Sequence, residues 1–446
     1  MVLSFARTLS PVRVILLAFT TAVAVGVGLL MLPIARVGPG GASFLEALFT
    51  ATSAICVTGL ITVDTATYWT HFGQVVIMCL IQIGGFGVMT LATIIGLTVV
   101  GRMSLRSRIT AAYETHAEGL EDMSRTVWNV FRITALVETS IALVLAARFW
   151  LAYDHSLPSA IWHGVFHAIS SFNNAGFGLF SDSIMGFVSD PWINIPIMVG
   201  IVTGGLGFPV IMQLKRHFRD RLKWTMNTKI VLSMTAFLLL AGTFYITAIE
   251  WSNPATLGPL PWYDKIMAGT FQSVQTRTAG FNSIDIGGLY PETLLGMDIL
   301  MFIGAGPAGT AGGIKVTTVA VLFSIAITEL KGETAVNIFG KRLGRTVHRQ
   351  ALTVALLALC LVTSSVVAII IASGQPLDDV AFEVLSAFGT VGLSTGITAK
   401  LGTFSQLVLC MLMYVGRLGP ITVATALAMR PRKLLYELPK ERPIIG

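Results

Sequence analysis

Four times along this chain a phenylalanine opens a short stretch that closes, nine or ten residues later, on glycine followed by leucine or phenylalanine. The stretches are FTATSAICVTGL (49–60), FHAISSFNNAGF (166–177), FQSVQTRTAGF (271–281) and FEVLSAFGTVGL (382–393). They open on Phe49, Phe166, Phe271 and Phe382 and close on Gly59, Gly176, Gly280 and Gly392. A serine stands four residues after the phenylalanine in three of them, at Ser53, Ser170 and Ser386, and the third stretch is one residue shorter. A second marker follows each closing glycine after 24 to 28 residues: QIGGFG, VTGGLG, FIGAG and YVGRLG, with glycines beginning at Gly84, Gly204, Gly304 and Gly416. Two markers in register, four times over, define one structural unit used four times.

The solvent of that unit follows from its charge. Only 12% of the residues are charged, against about 25% in soluble proteins. Stretches such as 14–34 and 354–374 carry no formal charge, and about 20 apolar residues cross a hydrocarbon core as a helix. Spans are predicted at 13–33, 73–100, 127–150, 192–214, 229–250, 294–328, 350–373 and 404–429. The first apolar run reads as a span, not a cleaved signal, because Pro33 follows it in place of a small-residue cleavage site. The four glycine-ended stretches fall between spans, are too short to cross, and must re-enter and leave on one side. Irregular backbone at membrane depth is tolerated only where protein buries it or water lines it.

The expected fold is therefore all-α and membrane-embedded, with four M1-P-M2 repeats: eight transmembrane helices and four re-entrant half-helices in pseudo-four-fold arrangement around a central pore. The repeats are bounded at 1–110, 111–220, 221–335 and 336–446. Lysine and arginine cluster in alternate connections: Arg102, Arg106 and Arg108, then 215–223, then Lys331 to Arg349, then the tail 430–442. The opposite connections hold only Arg36, Lys265, Arg277 and Lys400 and many carboxylates. By the positive-inside rule both termini are cytoplasmic. The net charge of +7 thus reports topology and not a nucleic-acid partner. Cys56, Cys79, Cys360 and Cys410 form no C-x-x-C pair and read as buried thiols.

After each half-helix the glycine permits backbone angles that turn successive carbonyls one way. Four such runs, Val57-Thr58-Gly59, Asn174-Ala175-Gly176, Thr278-Ala279-Gly280 and Thr390-Val391-Gly392, would stack rings of carbonyl oxygen able to replace the hydration shell of a cation. Each half-helix also aims its partially negative C-terminus at the centre. Asn173 is expected to brace these carbonyls together with Asn174, and Ser53, Ser170 and Ser386 to support them. With no carboxylate in the runs, a monovalent cation is favoured, and the small glycines favour potassium over sodium. Ordinary turn residues closing a loop are the bland alternative.

The second marker in the third copy expands to GAGPAGTAGGIK (304–315), where Gly304, Gly306, Gly309, Gly312, Gly313 and Pro307 exclude a helix at mid-span. An unwound loop below the carbonyl rings has the shape of a movable gate. It lacks the spacing of a phosphate-binding loop and no strand precedes it. Arg417, midway along the last span, could repel cations, hold the loop by its carbonyls, or pair with Glu138; Lys315 at the end of the loop is similarly open.

The four TGL/AGF/AGF/VGL closures, HAISSFNNAGF, QTRTAGFNS, the glycine-rich loop before Ile314 and Lys315, and GRLGP together resemble the Trk/Ktr/HKT superfamily of K⁺ transporters over about residues 12–430. Eight crossings without an extra helix pair resemble its ion-translocating Ktr subunits most. That resemblance implies K⁺ uptake at a bacterial cytoplasmic membrane and a homodimer on a cytoplasmic KtrA-type ring that binds ATP or ADP. It also implies sodium stimulation and an intramembrane gate at the glycine-rich loop with the last-repeat arginine beside it. K⁺ is then the transported ion, Na⁺ a second candidate, and no nucleotide site is expected on this chain. Cys56 departs from the small hydroxyl residue common in relatives and is a poorer hydrogen-bonding group. The cytoplasmic segments 111–126 and 215–229 could dock such a ring or meet anionic lipid.

Two other readings compete. A sodium-selective or alternating-access coupled symporter would be favoured by inverted repeats, whereas these four copies all enter from one side. An intramembrane enzyme could use His163 and His167, four residues apart, as metal ligands, but no third ligand accompanies them at suitable spacing, and stacking or contact with the carbonyl backbone is the simpler role. No catalytic constellation stands out, and the chain reads as a non-enzyme.

Overall fold

The computed structural model describes residues 11–87 and 123–419, with side chains from residues 16 and 128 onward. Arg102, Arg106, Arg108, most of 111–126 and the tail 430–442 lie outside them. Within the described residues nearly all regular structure is helix, the exception being a short hairpin that pairs Asn337–Ile338 with Lys341–Arg342. The first set is α1 (Pro11–Leu30), α2 (Phe44–Ile55) and α3 (His71–Phe86). The second is α4 (Met123–Ala152), α5 (Leu157–Phe172), α6 (Pro191–Leu206) and α7 (Phe208–His217). The third is α8 (Met226–Glu250), α9 (Trp262–Gln275), α10 (Pro291–Phe302) and α11 (Val316–Leu330), and the fourth α12 (Arg345–Ser373), α13 (Leu377–Gly389) and α14 (Thr403–Leu418).

The short members α2, α5, α9 and α13 start where local chemistry starts a helix. Ser43 and Glu46 form a reciprocal capping box on α2, Pro158 occupies the first turn of α5, and Pro261 and Pro376 precede α9 and α13. They run for 12, 16, 14 and 13 residues, less than the roughly 20 residues that a membrane crossing takes.

The long members differ from expectation in one respect. Among the described residues three helices are long and apolar enough to span alone: Trp128–Ala152, Met226–Glu250 and Arg345–Ser373. The predicted continuous span at 192–214 is instead two helices, α6 and α7, bent by 97° at Gly207. The cause is backbone geometry. Gly207 has φ +90° and ψ 141°, Gly87 has φ +71° and ψ 138°, and Gly419 has φ +87° and ψ 136°. Only glycine enters that region without strain, so in the first, second and fourth copies the final glycine of the second marker ends its helix, whereas in the third the helix already stops at Phe302. Helices α10 and α11 are separated by the glycine-rich loop.

The packing is cyclic. Phe166 and Phe177 of the second copy are buried in a cluster with first-copy residues. Phe271 and Phe281 of the third are buried among second-copy residues, and Phe382 and Leu393 of the fourth among third-copy residues. The sequence closes with Phe49 and Leu60 of the first copy, which share a cluster with Val384, Phe388, Leu409 and Met413 of the fourth. Tyr414 Oη also donates to Leu16 O at 2.9 Å across the same seam. Each copy thus plugs its marker phenylalanine into its neighbour, and with lipid outside, close packing of this kind is what holds the helices together. Cys56 and Cys410 are buried, as expected, but Cys79 and Cys360 are exposed on the outer surface of their helices.

Candidate functional site

The four glycine-ended runs meet. A Cβ placed on Gly176 would lie 2.6 Å from Ala279 O and 2.9 Å from Gly280 Cα. On Gly280 it would collide with the Val391 carbonyl and lie 3.1 Å from Gly392 Cα; on Gly392 with the Thr58 carbonyl, 3.0 Å from Gly59 Cα. On Gly59 it would collide with the Ala175 carbonyl, 3.1 Å from Gly176 Cα. The order 59, 176, 280, 392 and back to 59 is a closed ring, in which each glycine faces the carbonyl of the residue preceding its neighbour. All four glycines line the floor of one open cavity of about 310 Å³, whose walls include Asp64, Phe180, Asp182, Asn282, Ser394 and Thr398.

The backbone within each run alternates. φ is +57°, +60°, +76° and +52° at Val57, Asn174, Thr278 and Thr390, and +92°, +69°, +76° and +91° at the four glycines. The intervening Thr58, Ala175, Ala279 and Val391 do not have positive φ. An ordinary strand points successive peptide groups to opposite sides, and reversing the sign of φ at alternate residues brings their carbonyls to the same side. A left-handed non-glycine residue costs about 1–2 kcal/mol, so the runs need anchoring. Thr58 N, Ala175 N and Val391 N donate to Ser53 O, Ser170 O and Ser386 O at 2.8, 2.7 and 2.8 Å.

The hydroxyl supports are present in two copies. Gly59 N donates to Ser53 Oγ at 3.1 Å and Gly392 N to Ser386 Oγ at 3.0 Å. Ser170 Oγ is buried and has no hydrogen-bond partner among the described residues. In the shorter third copy, Gln275 occupies the serine position and its Oε1 accepts from Phe281 N at 3.1 Å. Its longer side chain reaches one residue further past a turn that is one residue tighter.

The two asparagines act differently from expectation. Asn173 caps α5 and turns outward. Its Nδ2 donates to Ile169 O at 2.9 Å, to Gln82 Oε1 at 2.8 Å and to Glu138 Oε1 at 3.0 Å, and Gln82 Nε2 donates to both oxygens of Glu138. It therefore braces the end of α5 and not the carbonyl run. Asn174, oriented to satisfy both ends of its amide, accepts from Thr278 Oγ1 at 3.2 Å and donates to Thr310 Oγ1 at 3.2 Å.

One set of supports was legible in the sequence only at His167. The residue after each marker phenylalanine is polar and buried: Thr50, His167, Gln272 and Glu383. Three of these reach the chain just beyond the closing glycine. His167 Nε2 accepts from Leu179 N at 3.4 Å, Gln272 Nε2 donates to Ser283 Oγ at 3.5 Å, and Glu383 accepts from Ser394 Oγ and, at 2.7 Å, from Thr398 Oγ1. His163 and His167 stack on Phe180, with ring centroids at 4.7 and 5.2 Å. The signal was available as a polar residue recurring at one register on an otherwise apolar helix.

The loop 304–315 lies directly against the ring. Gly306 N and Thr310 N donate to Gly205 O and Gly204 O at 2.8 and 3.2 Å, and Phe208 N to Ala308 O at 3.3 Å, so the loop is laid along the break between α6 and α7. Gly313 N donates to Gly416 O at 3.2 Å. Thr310 touches Asn174 of the second run, and a Cβ on Gly312 would lie 2.7 Å from Thr390 Cγ2 of the fourth. These two runs stand opposite each other, so the loop extends across the base of the ring. Lys315 Nζ donates to Ala311 O at 2.6 Å. The guanidinium of Arg417 donates to Thr310 O and Gly84 O, the contacts a loop-holding role requires, while the Glu138 carboxylate accepts from Gln82 and Asn173. The other second-marker glycines press on the short helices. Cβ atoms on Gly84 and Gly416 would lie 2.8 and 2.9 Å from Ile55 C and Phe388 C, and one on Gly204 would meet Phe172 O.

A family model for TrkH cation transport proteins matches residues 39–436. Ktr system potassium uptake protein B of Bacillus subtilis is 39% identical over 94% of this chain and 93% of its own length. The potassium/sodium uptake protein NtpJ of Enterococcus hirae is 34% identical over 99% of this chain and 98% of its own. Among solved structures, the potassium transporter TrkH from Vibrio parahaemolyticus aligns with a TM-score of 0.70 over 93% of this chain and 84% of that one, at 18% sequence identity, a likeness of fold.

Proposed function

This chain belongs to the TrkH family of cation transport proteins, and on that premise we propose that it is the KtrB-type, ion-translocating subunit of a potassium uptake system. The single observation that carries the proposal is the closed ring of Gly59, Gly176, Gly280 and Gly392. It supports a reading in which four re-entrant M1-P-M2 repeats, 1–110, 111–220, 221–335 and 336–446, surround one axis. In this reading K⁺ enters the cavity above the ring and gives up its water to the carbonyls of Val57 to Gly59, Asn174 to Gly176, Thr278 to Gly280 and Thr390 to Gly392. A run whose carbonyls are already turned inward needs little rearrangement to accept the ion, and the C-termini of α2, α5, α9 and α13 add partial negative charge.

The loop 304–315 is then the gate, clasped by Lys315 and Arg417. Opening is driven from the cytoplasm by a separate KtrA-type nucleotide-binding ring, on which two copies of this chain sit in the bacterial cytoplasmic membrane with both termini inside. The relative named for potassium and sodium uptake supports a second reading, in which Na⁺ shares the path or stimulates it.

The test is rescue of a bacterium that lacks K⁺ uptake, with and without a co-expressed nucleotide-binding subunit, paired with ⁸⁶Rb⁺ flux into vesicles containing the purified chain. Growth at low K⁺ with Rb⁺ flux supports the proposal. A Na⁺ flux that Rb⁺ does not compete with transfers it to the sodium reading. Deleting residues 305–312 is expected to raise flux without the partner, and a fall in flux from a well-folded deletion would remove the gate role.

A further inference from the structure

Arg277 takes its place in the chain one residue before the third carbonyl run. Charge counting assigns it to an outer connection, yet it is buried, 5% exposed. The corresponding positions of the other copies, three residues before the closing glycine, hold Cys56, Asn173 and Gly389, none of them charged. The one copy with a cation at this point is thus also the copy whose second helix is opened into a loop.

The contacts explain the coincidence. Arg277 Nη2 donates to Gly304 O at 3.5 Å and Nη1 to Thr235 O on α8 at 3.3 Å. Gly304 is the first residue of the loop and also fastens its far end, because its N–H donates to Ile314 O at 2.8 Å. The bonds from Arg277 are long, its buried Nε has no hydrogen-bond partner among the described residues, and the residue borders a cavity of about 20 Å³ beside Gly205 and Ala305. Such a space holds about one water molecule. Arg417 on Thr310 O holds a second loop carbonyl from outside, while Lys315, the loop's own last residue, ties Ala311 O within it.

Resting on the gate reading above, we propose that Arg277 is a positioning residue that fastens the loop to the third carbonyl run. Its two carbonyl bonds hold the loop root closed against α8. Movement of either the run or the loop strains the same guanidinium, so ion occupancy in the ring and closure of the loop are coupled through it. The looseness of the grip suits a clasp that releases.

The experiment measures partner-free ⁸⁶Rb⁺ flux, normalised to correctly folded protein, for Arg277→Gln, Arg277→Lys, the 305–312 deletion, and Arg277→Gln combined with that deletion. Arg277→Gln is expected to raise flux roughly tenfold, the worth of one charge-assisted hydrogen bond lost from the closed state. Arg277→Lys, which keeps the charge but cannot span both carbonyls, is expected to raise it by less. In the deletion background Arg277→Gln should add nothing. Unchanged flux in Arg277→Gln, or in Arg277→Lys if the glutamine variant does not fold, overturns the clasp while an elevated deletion flux leaves the gate reading standing. An equal rise in the deletion background also overturns it, since the charge would then act on the permeating ion directly. A deletion that does not raise flux sinks the gate reading and the clasp with it.

Discussion

Replacing Gly392 with serine tests the ring most directly. Two effects are superimposed at that position, and the structure supplies a control that separates them. Gly392 and Gly396 share a φ of +91°, so a side chain at either meets the same backbone strain, about 1–3 kcal/mol. A Cβ on Gly396 has nothing within 4 Å, whereas one on Gly392 would collide with the Thr58 carbonyl and lie 3.0 Å from Gly59 Cα. Gly392→Ser must therefore push one carbonyl of the ring out of line, and Gly396→Ser need not. Gly176→Ser repeats the perturbation half a turn away, with Ala279 O at 2.6 Å from the new Cβ. If the displaced carbonyl contributes about 1.4 kcal/mol more to K⁺ than to Na⁺, preference falls roughly tenfold. The assay is ⁸⁶Rb⁺ uptake into vesicles under increasing Na⁺. We predict a lower K⁺ preference in Gly392→Ser and Gly176→Ser and an unchanged one in Gly396→Ser, with a loss of thermal stability from strain alone in Gly396→Ser and a larger one in Gly392→Ser, where the collision adds to it. Unchanged preference in both ring variants, with uptake retained, would refute the reasoning.

Three further outcomes are expected. Glu138→Ala leaves the amide donors of Gln82 and Asn173 without their shared acceptor, and a stability loss of about 1–3 kcal/mol should appear in thermal unfolding, with Glu138→Gln losing less. Glu383→Ala frees Ser394 and Thr398 at the mouth of the cavity; K⁺ preference should fall while partner-free flux does not rise, and a rise would mean the mouth and the loop are not separate. Phe166→Ala empties a buried slot in the neighbouring copy and should cost about 3–5 kcal/mol, read as a lower midpoint in detergent.

What the sequence revealed and what it hid follow one physical line. The closing glycines were legible because positive φ and close carbonyl contact both exclude a side chain, and glycine is the residue that tolerates both. The starts of the short helices carried a signal that the sequence reading left unused, in Ser43 with Glu46 and in the three prolines. Depth was not legible. Arg277 looks like a loop charge in a linear count, and only the re-entry of α9 buries it. Contacts between distant parts of the chain were also hidden: Asn173 finds Gln82 across 91 residues and Glu138 across 35. The glycines of GGFG and GGLG permit close packing, which Gly84 and Gly204 provide. Nothing in the letters separated them from Gly87 and Gly207, whose dihedrals stop a helix.

The cyclic exchange of phenylalanines has a consequence for biosynthesis. Phe49 shares its buried cluster with Phe388 of α13 and with Leu409 and Met413 of α14, helices translated after the other described ones. The first copy therefore waits, unsealed, for the fourth. A nascent chain released after α11 would keep an open seam on both sides, a ready mark for membrane proteases. Ribosome progress to the last helices is then what turns a row of hairpins into a sealed circle.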